Sequence, residues 1–313
     1  MREDFYYPSI SGKCQIHACR WLPEGEVKAV VQIVHGIAEF AARYDRFAAF
    51  LVSRGIAVVA EDHMGHGQSI NGEGIQGYFH GGWFAAAEDT YALLRKTREE
   101  YSDVPYFILG HSMGSLLTRT ILCRHPDSGI AAAVICGTAW QPRAMLPAAI
   151  KLAEGFCRHG GETNPSAVLQ NLVFGTYNRK VSHPRTEFDW LCRDNKQVDA
   201  YIADPLCGFV ASAGLLRDMM QGILYIEQPE NLAHMDKELP VFFIAGGDDP
   251  VGNYGKGVQR SADAFWDARM EKVSLRIYPL CRHEILNEIN RTDVYADVAA
   301  FFEKYIKEST KIG

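Results

Sequence analysis

The sequence predicts an α/β fold: a mostly parallel sheet with helices on both faces and a helical segment inserted late in the chain. Three observations predict it. Short apolar runs of β type alternate with helical patterns over residues 1–137 and again over 240–313, the pattern of units that feed a parallel sheet. Residues 138–239 break that alternation with helical patterns and prolines at 142, 147, 165, 184, 205 and 229, and hold no defensible strand. Several apolar runs also end in glycine- or histidine-rich loops, such as His35-Gly36 and the GHSMG of residues 110–114. Open α/β sheets bind their ligands at such strand ends.

Taken in order, residues 5–10 and 15–22 read as an antiparallel pair turning through Ser11-Gly12-Lys13. Residues 29–34 are uninterruptedly apolar, as a strand buried on both faces must be. Phe40, Tyr44, Phe47, Phe50 and Leu51 then recur at helical spacing, with Gly55 as the stop. Strand 56–60 runs into the loop EDHMGHGQS (61–69), and a helix spans 83–101. Strand 106–109 leads into GHSMG and a helix from Met113 that Pro126 ends. Strands 131–136, 241–245 and 275–278 complete a sheet of eight, and Asp293 caps a closing helix through Tyr305. Within the insertion the clearest helices are 146–157 and 214–225. A connection of about a hundred residues carries a job of its own. We read residues 1–137 and 240–313 as the core and 138–239 as a helical cap, or lid.

Composition excludes several classes. The chain of 313 residues is 47% hydrophobic and 22% charged, as expected of a globular protein with a sizeable core. A net charge of −6 with scattered basic residues argues against a nucleic-acid partner. The acidic N-terminal stretch lacks the apolar segment of a signal peptide, and no apolar run reaches the ~18 residues of a spanning helix. Eight cysteines show no metal-type spacing. They read as reduced thiols in a cytoplasmic protein with no metal site and no cofactor.

GHSMG alone is weak evidence, because a G-x-S-x-G arises by chance on the order of 0.1 times in such a chain. Its context is stronger. A serine hydroxyl becomes a nucleophile only when a base takes its proton and a third group orients that base. Strand–turn–helix context exposes Ser112, and the helix start at Met113 aims N–H groups at developing negative charge. The partners should follow in the order acid, then histidine. Asp248 and Asp249 follow strand 241–245, and His283 follows strand 275–278. Elbow, acid, histidine and order agree.

On HGIAEFAARYDRFA (35–48), DHMGHGQS (62–69), GHSMG (110–114), GGDDPVG (246–252) and RHEILNE (282–288), the chain resembles the monoacylglycerol lipase and lysophospholipase group of α/β-hydrolases over most of its length. The resemblance implies an α/β-hydrolase fold with Ser112 as nucleophile, Asp249 rather than Asp248 as acid, and His283 as base. It implies an oxyanion hole made by the N–H groups of Ile37 and Met113, and it places Glu39 and Arg43 near the alcohol end of the substrate. The residue after His-Gly is often small in this group; here the branched Ile37 narrows the alcohol pocket. His35 is expected to brace the oxyanion loop, and Asp62, His63 and His66 to shape theirs. Leu146, Ile150, Phe209, Leu215, Leu216 and Met219 are apolar at helical spacing, and are expected to pack the cap and to line an acyl tunnel. Cys281 is expected to border the pocket, where a thiol reagent would block turnover.

The implied activity is hydrolysis of carboxylic esters of lipid-like acids, with transient contact between the cap and a micelle or membrane surface. A short-chain or aromatic carboxylesterase, a prolyl-aminopeptidase-like peptidase, and a non-catalytic small-molecule scaffold are the rivals.

Overall fold

The uninterrupted apolar runs form the centre of the sheet. The computed structural model describes residues 2–309. Its eight strands are β1 (Arg2–Pro8), β2 (Gln15–Trp21), β3 (Ala29–Val34), β4 (Ile56–Glu61), β5 (Tyr106–His111), β6 (Ile130–Cys136), β7 (Val241–Gly246) and β8 (Val273–Tyr278). They form one sheet in the order β1-β2-β4-β3-β5-β6-β7-β8. β2 pairs antiparallel with β1 and β4, and every other pairing is parallel. β3, β4, β5 and β7 are buried at every residue, whereas β8, at the edge, alternates between half-buried and exposed up to its buried last residue, Tyr278.

Alternate side chains of each strand feed two cores, as a period of two requires. On one face Val31, Ile33, Phe107 and Leu109 meet Phe47 and Leu51 of α1 (Asp45–Val52) and Val298 and Phe302 of α10 (Arg291–Ser309). On the other, Val30, Ile108 and Phe243 meet Trp83 of α2 (Gly82–Glu100), Leu117 and Ile121 of α3 (Met113–Arg124), and Val258 and Phe265 of α9 (Lys256–Asp267).

Between β6 and β7 the chain forms α4 (Leu146–Gly160), α5 (Ala167–Phe174), α6 (Asn195–Ala203), α7 (Ala213–Ile226), α8 (Pro229–Ala233) and short 3-10 turns. Ser212 starts α7 by accepting the Leu215 N–H at 3.0 Å. Leu215, Leu216, Met219, Ile223 and Ile226 on that helix are buried in the same core as Trp83. α7 comes close to α2 at Gly222. A Cβ there would lie 2.2 Å from the Trp83 ring, which is itself tied to Thr120 through a 2.9 Å hydrogen bond.

Some boundaries differ from the sequence reading, for local reasons. The first strand ends at Pro8, because Asp89 on α2 takes the Ser9 hydroxyl and the Ile10 N–H and leads the chain out of the ladder. The helix expected from Phe40 begins as a 3-10 turn, Ala41–Tyr44, before α1. Asp293 lies in the first turn of α10 rather than capping it, and there still favours the helix N-terminus. The reading of the sequence did not name α9, although Val258, Ala262 and Phe265 are its buried positions, at helical spacing.

Gly222→Ala tests the seat of α7. Overpacking against a fixed indole should cost about 1–3 kcal/mol, read as a drop of several degrees in Tm by calorimetry. An unchanged Tm would mean that α7 is not held against Trp83.

Candidate active site

Ser112 sits in the turn between β5 and α3 with φ 53° and ψ −122°. A serine at positive φ is strained, and such strain persists only where surroundings enforce it. Here the two flanking glycines make the turn possible. A Cβ on Gly110 would lie 2.3 Å from Thr118 Oγ1, and one on Gly114 would lie 2.0 Å from the Val34 carbonyl oxygen. The turn therefore packs directly on the end of β3, whose next residues are His35-Gly36-Ile37. A Cβ on Gly36 would lie 3.1 Å from Ser112 Cβ.

Ile37 lines the same cavity as this serine, and Met113 directly follows the serine. Met113 is the first residue of α3, so its N–H has no carbonyl behind it in the helix. The Ile37 N–H shares a peptide plane with the Gly36 carbonyl, which accepts a 2.7 Å bond from His35 Nδ1. His35 Nε2 in turn accepts the His63 N–H at 3.0 Å, and His63 Nε2 donates to the His35 carbonyl. Burial, with the neighbouring His63 and His66 rings, holds the His35 imidazole well below its usual pKa, so it stays neutral and can accept. Asp62 shapes the adjoining loop by accepting the Ala41 and Gln68 N–H groups, each at 2.8 Å.

His283 and Asp249 come from the loops after β8 and β7. His283 Nδ1 lies 3.0 Å from Asp249 Oδ2; Asp249 is fully buried, while Asp248 is exposed. A segment of the insertion holds the histidine loop. The His283 and Glu284 N–H groups donate to the Trp190 and Leu191 carbonyls at 3.4 and 2.7 Å. Arg282 Nη1 donates to the Asp189 and Cys192 carbonyls. The Trp190 ring lies 5.3 Å from that of His283.

Ser112 and His283 line one cavity of ≈ 480 Å³, within the usual size for small-molecule sites. Ile37, Glu39, His111 and Glu284 form its sheet-side wall. The insertion supplies the opposite wall with Phe174, Phe188, Trp190, Tyr201 and Phe209, together with polar Gln170, Asn171, Asn178 and Glu187. Behind the sheet-side wall is a buried charge cluster. Arg43 bonds Glu284 through both guanidinium nitrogens at 2.7 and 2.8 Å and also pairs with Glu39. Glu39 accepts further bonds from the Gly36 N–H, the Tyr44 hydroxyl and His111 Nδ1. Burial opposes the charge on Glu39, but Arg43 and His111 outweigh it and hold its carboxyl well below the usual carboxylate range. Burial likewise opposes a charged His111, yet the bond to Glu39 raises its pKa above the ordinary imidazole value.

Several residues named from the sequence do not line this cavity. Leu146, Leu215 and Met219 are buried in the core that joins insertion to sheet, because α7 packs its apolar stripe onto α2 and α3 and α4 packs onto α7. Ile150 is half-buried on α4, away from the lining. Arg43 stands behind Glu39 and Glu284. Cys281 is buried on the far side of its loop, with its Sγ 3.1 Å from Asn290 Oδ1, and burial raises its thiol pKa. Alkylation through the pocket is therefore not expected. Phe209 does line the cavity. The sequence reading missed His111, Glu284 and the aromatic wall. The wall comes from irregular loops and short helices, where no periodicity marks a face.

Residues 25–290 match the family described as serine aminopeptidase, S33 (Hydrolase_4). The chain belongs to this family of α/β-hydrolases. It is 27% identical to a monoacylglycerol lipase of Mycolicibacterium smegmatis over 299 residues, 91% of this chain and 92% of the relative. It is 32% identical to a caffeoylshikimate esterase of Arabidopsis thaliana over 262 residues, 79% of this chain and 69% of the relative. Among solved structures, a thermostable carboxyl esterase of Bacillus coagulans in complex with glycerol superimposes with a TM-score of 0.89 at 27% identity, over 97% of this chain and 99% of the other. The fold expected from the sequence is thus the fold of this hydrolase. Among the described residues no helix is long and apolar enough to cross a membrane, and no group of His, Cys, Asp or Glu is arranged to hold a metal ion.

Arg43→Met should be severely destabilising, by about 3–5 kcal/mol, because it strands two buried carboxylates. Urea unfolding would measure this; a loss below about 1 kcal/mol would show that water replaces the guanidinium.

Proposed function

We propose that this hydrolase cleaves carboxylic esters of lipid-like acids, with Ser112 as nucleophile, His283 as base and Asp249 as the group that orients it. The observation that carries the reading is the strained Ser112 turn opening into the same cavity as a histidine bonded to a buried aspartate. Ser112 attacks the ester carbonyl as His283 takes its proton. Asp249 holds the Nδ1–H tautomer and stabilises the imidazolium. The Ile37 and Met113 N–H groups receive the oxyanion, where one such donor is worth about 3–4 kcal/mol. His283 then protonates the leaving alcohol, and water clears the acyl-enzyme by the same route. None of these steps calls on a cofactor.

In this reading residues 138–239 act as the cap. The lipase and the glycerol-bound esterase among the relatives support an acylglycerol-like substrate. Val168 and Leu172 on α5 are exposed next to Ala167, Gln170 and Asn171, which line the cavity, and support brief contact with a micelle or membrane surface. A second reading is an aromatic-ester esterase. The Phe, Trp and Tyr wall and the caffeoylshikimate esterase relative favour it.

Hydrolysis of p-nitrophenyl esters from acetate to palmitate, with Ser112→Ala as the blank, tests both. Ser112→Ala should fold normally and lose turnover by several orders of magnitude. A Ser112-dependent optimum at medium or long chains supports the lipid reading. Activity confined to the shortest esters, with faster cleavage of hydroxycinnamoyl esters, supports the second. Near-wild-type turnover by a folded Ser112→Ala protein would remove the nucleophile assignment.

A further inference from the structure

The motif RHEILNE ends in Glu288, a residue to which the reaction gives no role, yet its side chain is fully buried. Its carboxylate accepts four N–H bonds from two separate parts of the chain. Oε1 takes the Arg282 N–H at 2.8 Å and the Arg193 N–H at 3.2 Å. Oε2 takes Arg193 Nε at 2.9 Å and the Ile289 N–H at 3.1 Å. Arg282 immediately precedes His283, and Arg193 belongs to the insertion, three residues after Trp190. The same junction is reinforced by Arg193 Nη2 on Asn290 Oδ1 at 2.9 Å and by Cys192 Sγ on the Asn287 carbonyl at 3.3 Å.

We propose that Glu288 is a positioning residue for His283, fastening the histidine loop to segment 189–193 so that the base is in place only while the insertion is docked. The inference rests on the reading of His283 as base and adds to it. Charge-assisted bonds to an ionised carboxylate are short and directional, and a carboxylate satisfied on both oxygens has little freedom to rotate. Glu288 thus holds the N–H one residue before the base on one oxygen, and both the backbone and the guanidinium of Arg193 across its two oxygens. The bonds from His283 and Glu284 to the Trp190 and Leu191 carbonyls then form in register. Without Glu288 the Arg282 N–H, the Arg193 N–H and a guanidinium edge compete for water, and the loop bearing His283 loses its fixed partner strand. Because the attachment is to segment 189–193, this part of the insertion is a fixed wall. Any opening of the cavity falls to other parts of the insertion that line it, such as α5, which makes none of these bonds.

The test is kcat per active site on a short, soluble p-nitrophenyl ester, with sites counted by fluorophosphonate labelling, for Glu288→Gln, Glu288→Ala and Arg193→Met. A misplacement near an ångström lowers turnover on the order of a hundredfold. Glu288→Ala should show such a loss in kcat with KM within about threefold of the parent, and labelling should slow in parallel, since it needs the same base. Glu288→Gln, which keeps an acceptor for the backbone N–H groups, should recover part of the loss. Arg193→Met, which leaves the Arg282 bond intact, should fall between the two. If kcat per labelled site stays within about threefold of wild type in Glu288→Ala, or in Arg193→Met should the former not fold, Glu288 is structural only and the proposal fails. Wild-type protein that neither labels nor turns over would instead refute the serine-hydrolase reading.

Discussion

The candidate active site depends on one steric constraint: a serine at positive φ must fit between the end of β5 and the start of α3. The turn closes only because nothing larger than hydrogen stands at Gly110 and Gly114, where a Cβ would collide with Thr118 and with the Val34 carbonyl. That closeness has a second effect. It draws β3 and its following loop against the turn, so that Gly36 and Ile37 lie beside the serine. Pairing of β3 with β5 places these two segments side by side, and the serine turn does the rest.

Around this turn the protein stabilises its loops by burying charge in closed sets. Glu39, Arg43, Glu284 and His111 form one set; Glu288, Arg193 and the Arg282 N–H form another. Each carboxylate has several donors, which is the condition under which a buried charge can be kept. Such sets hold geometry more than they add stability. Those around Glu39 shape the pocket wall beside the serine, and the one around Glu288 joins the loop after β8 to the insertion. The insertion is thus tied to the sheet domain twice, through the apolar stripe of α7 and through a polar seam at the histidine loop.

Much of this was legible in the chain. The buried strands declare themselves as unbroken apolar runs because both their faces are covered. β8 was read two residues short, from Leu275 rather than Val273, because an edge strand is half solvated. Ser112, His283 and the pair Asp248-Asp249 could be named because each stands in a short, chemically specific loop directly after a strand, and strand ends in a parallel sheet share one edge; only the family resemblance favoured Asp249 within the pair. The pocket wall was not legible. Leu215 and Met219 look like tunnel residues by periodicity, but periodicity reports only that a face is buried, not which surface covers it. The residues that line the cavity, Phe174, Phe188 and Trp190, come from short helices and turns with no period to read.

By itself, then, the sequence marked the alternation of strands and helices, the candidate reactive residues at three strand ends and the presence of a helical insertion, because these are local patterns of polarity and turn residues. Tertiary structure decided which aspartate meets His283, which side of α7 faces the core, and that Glu288 bridges two segments about a hundred residues apart. Those outcomes depend on directions in space. Adjacent residues such as Asp248 and Asp249 differ only in which way their side chains leave the backbone, and that direction is fixed when the loops pack.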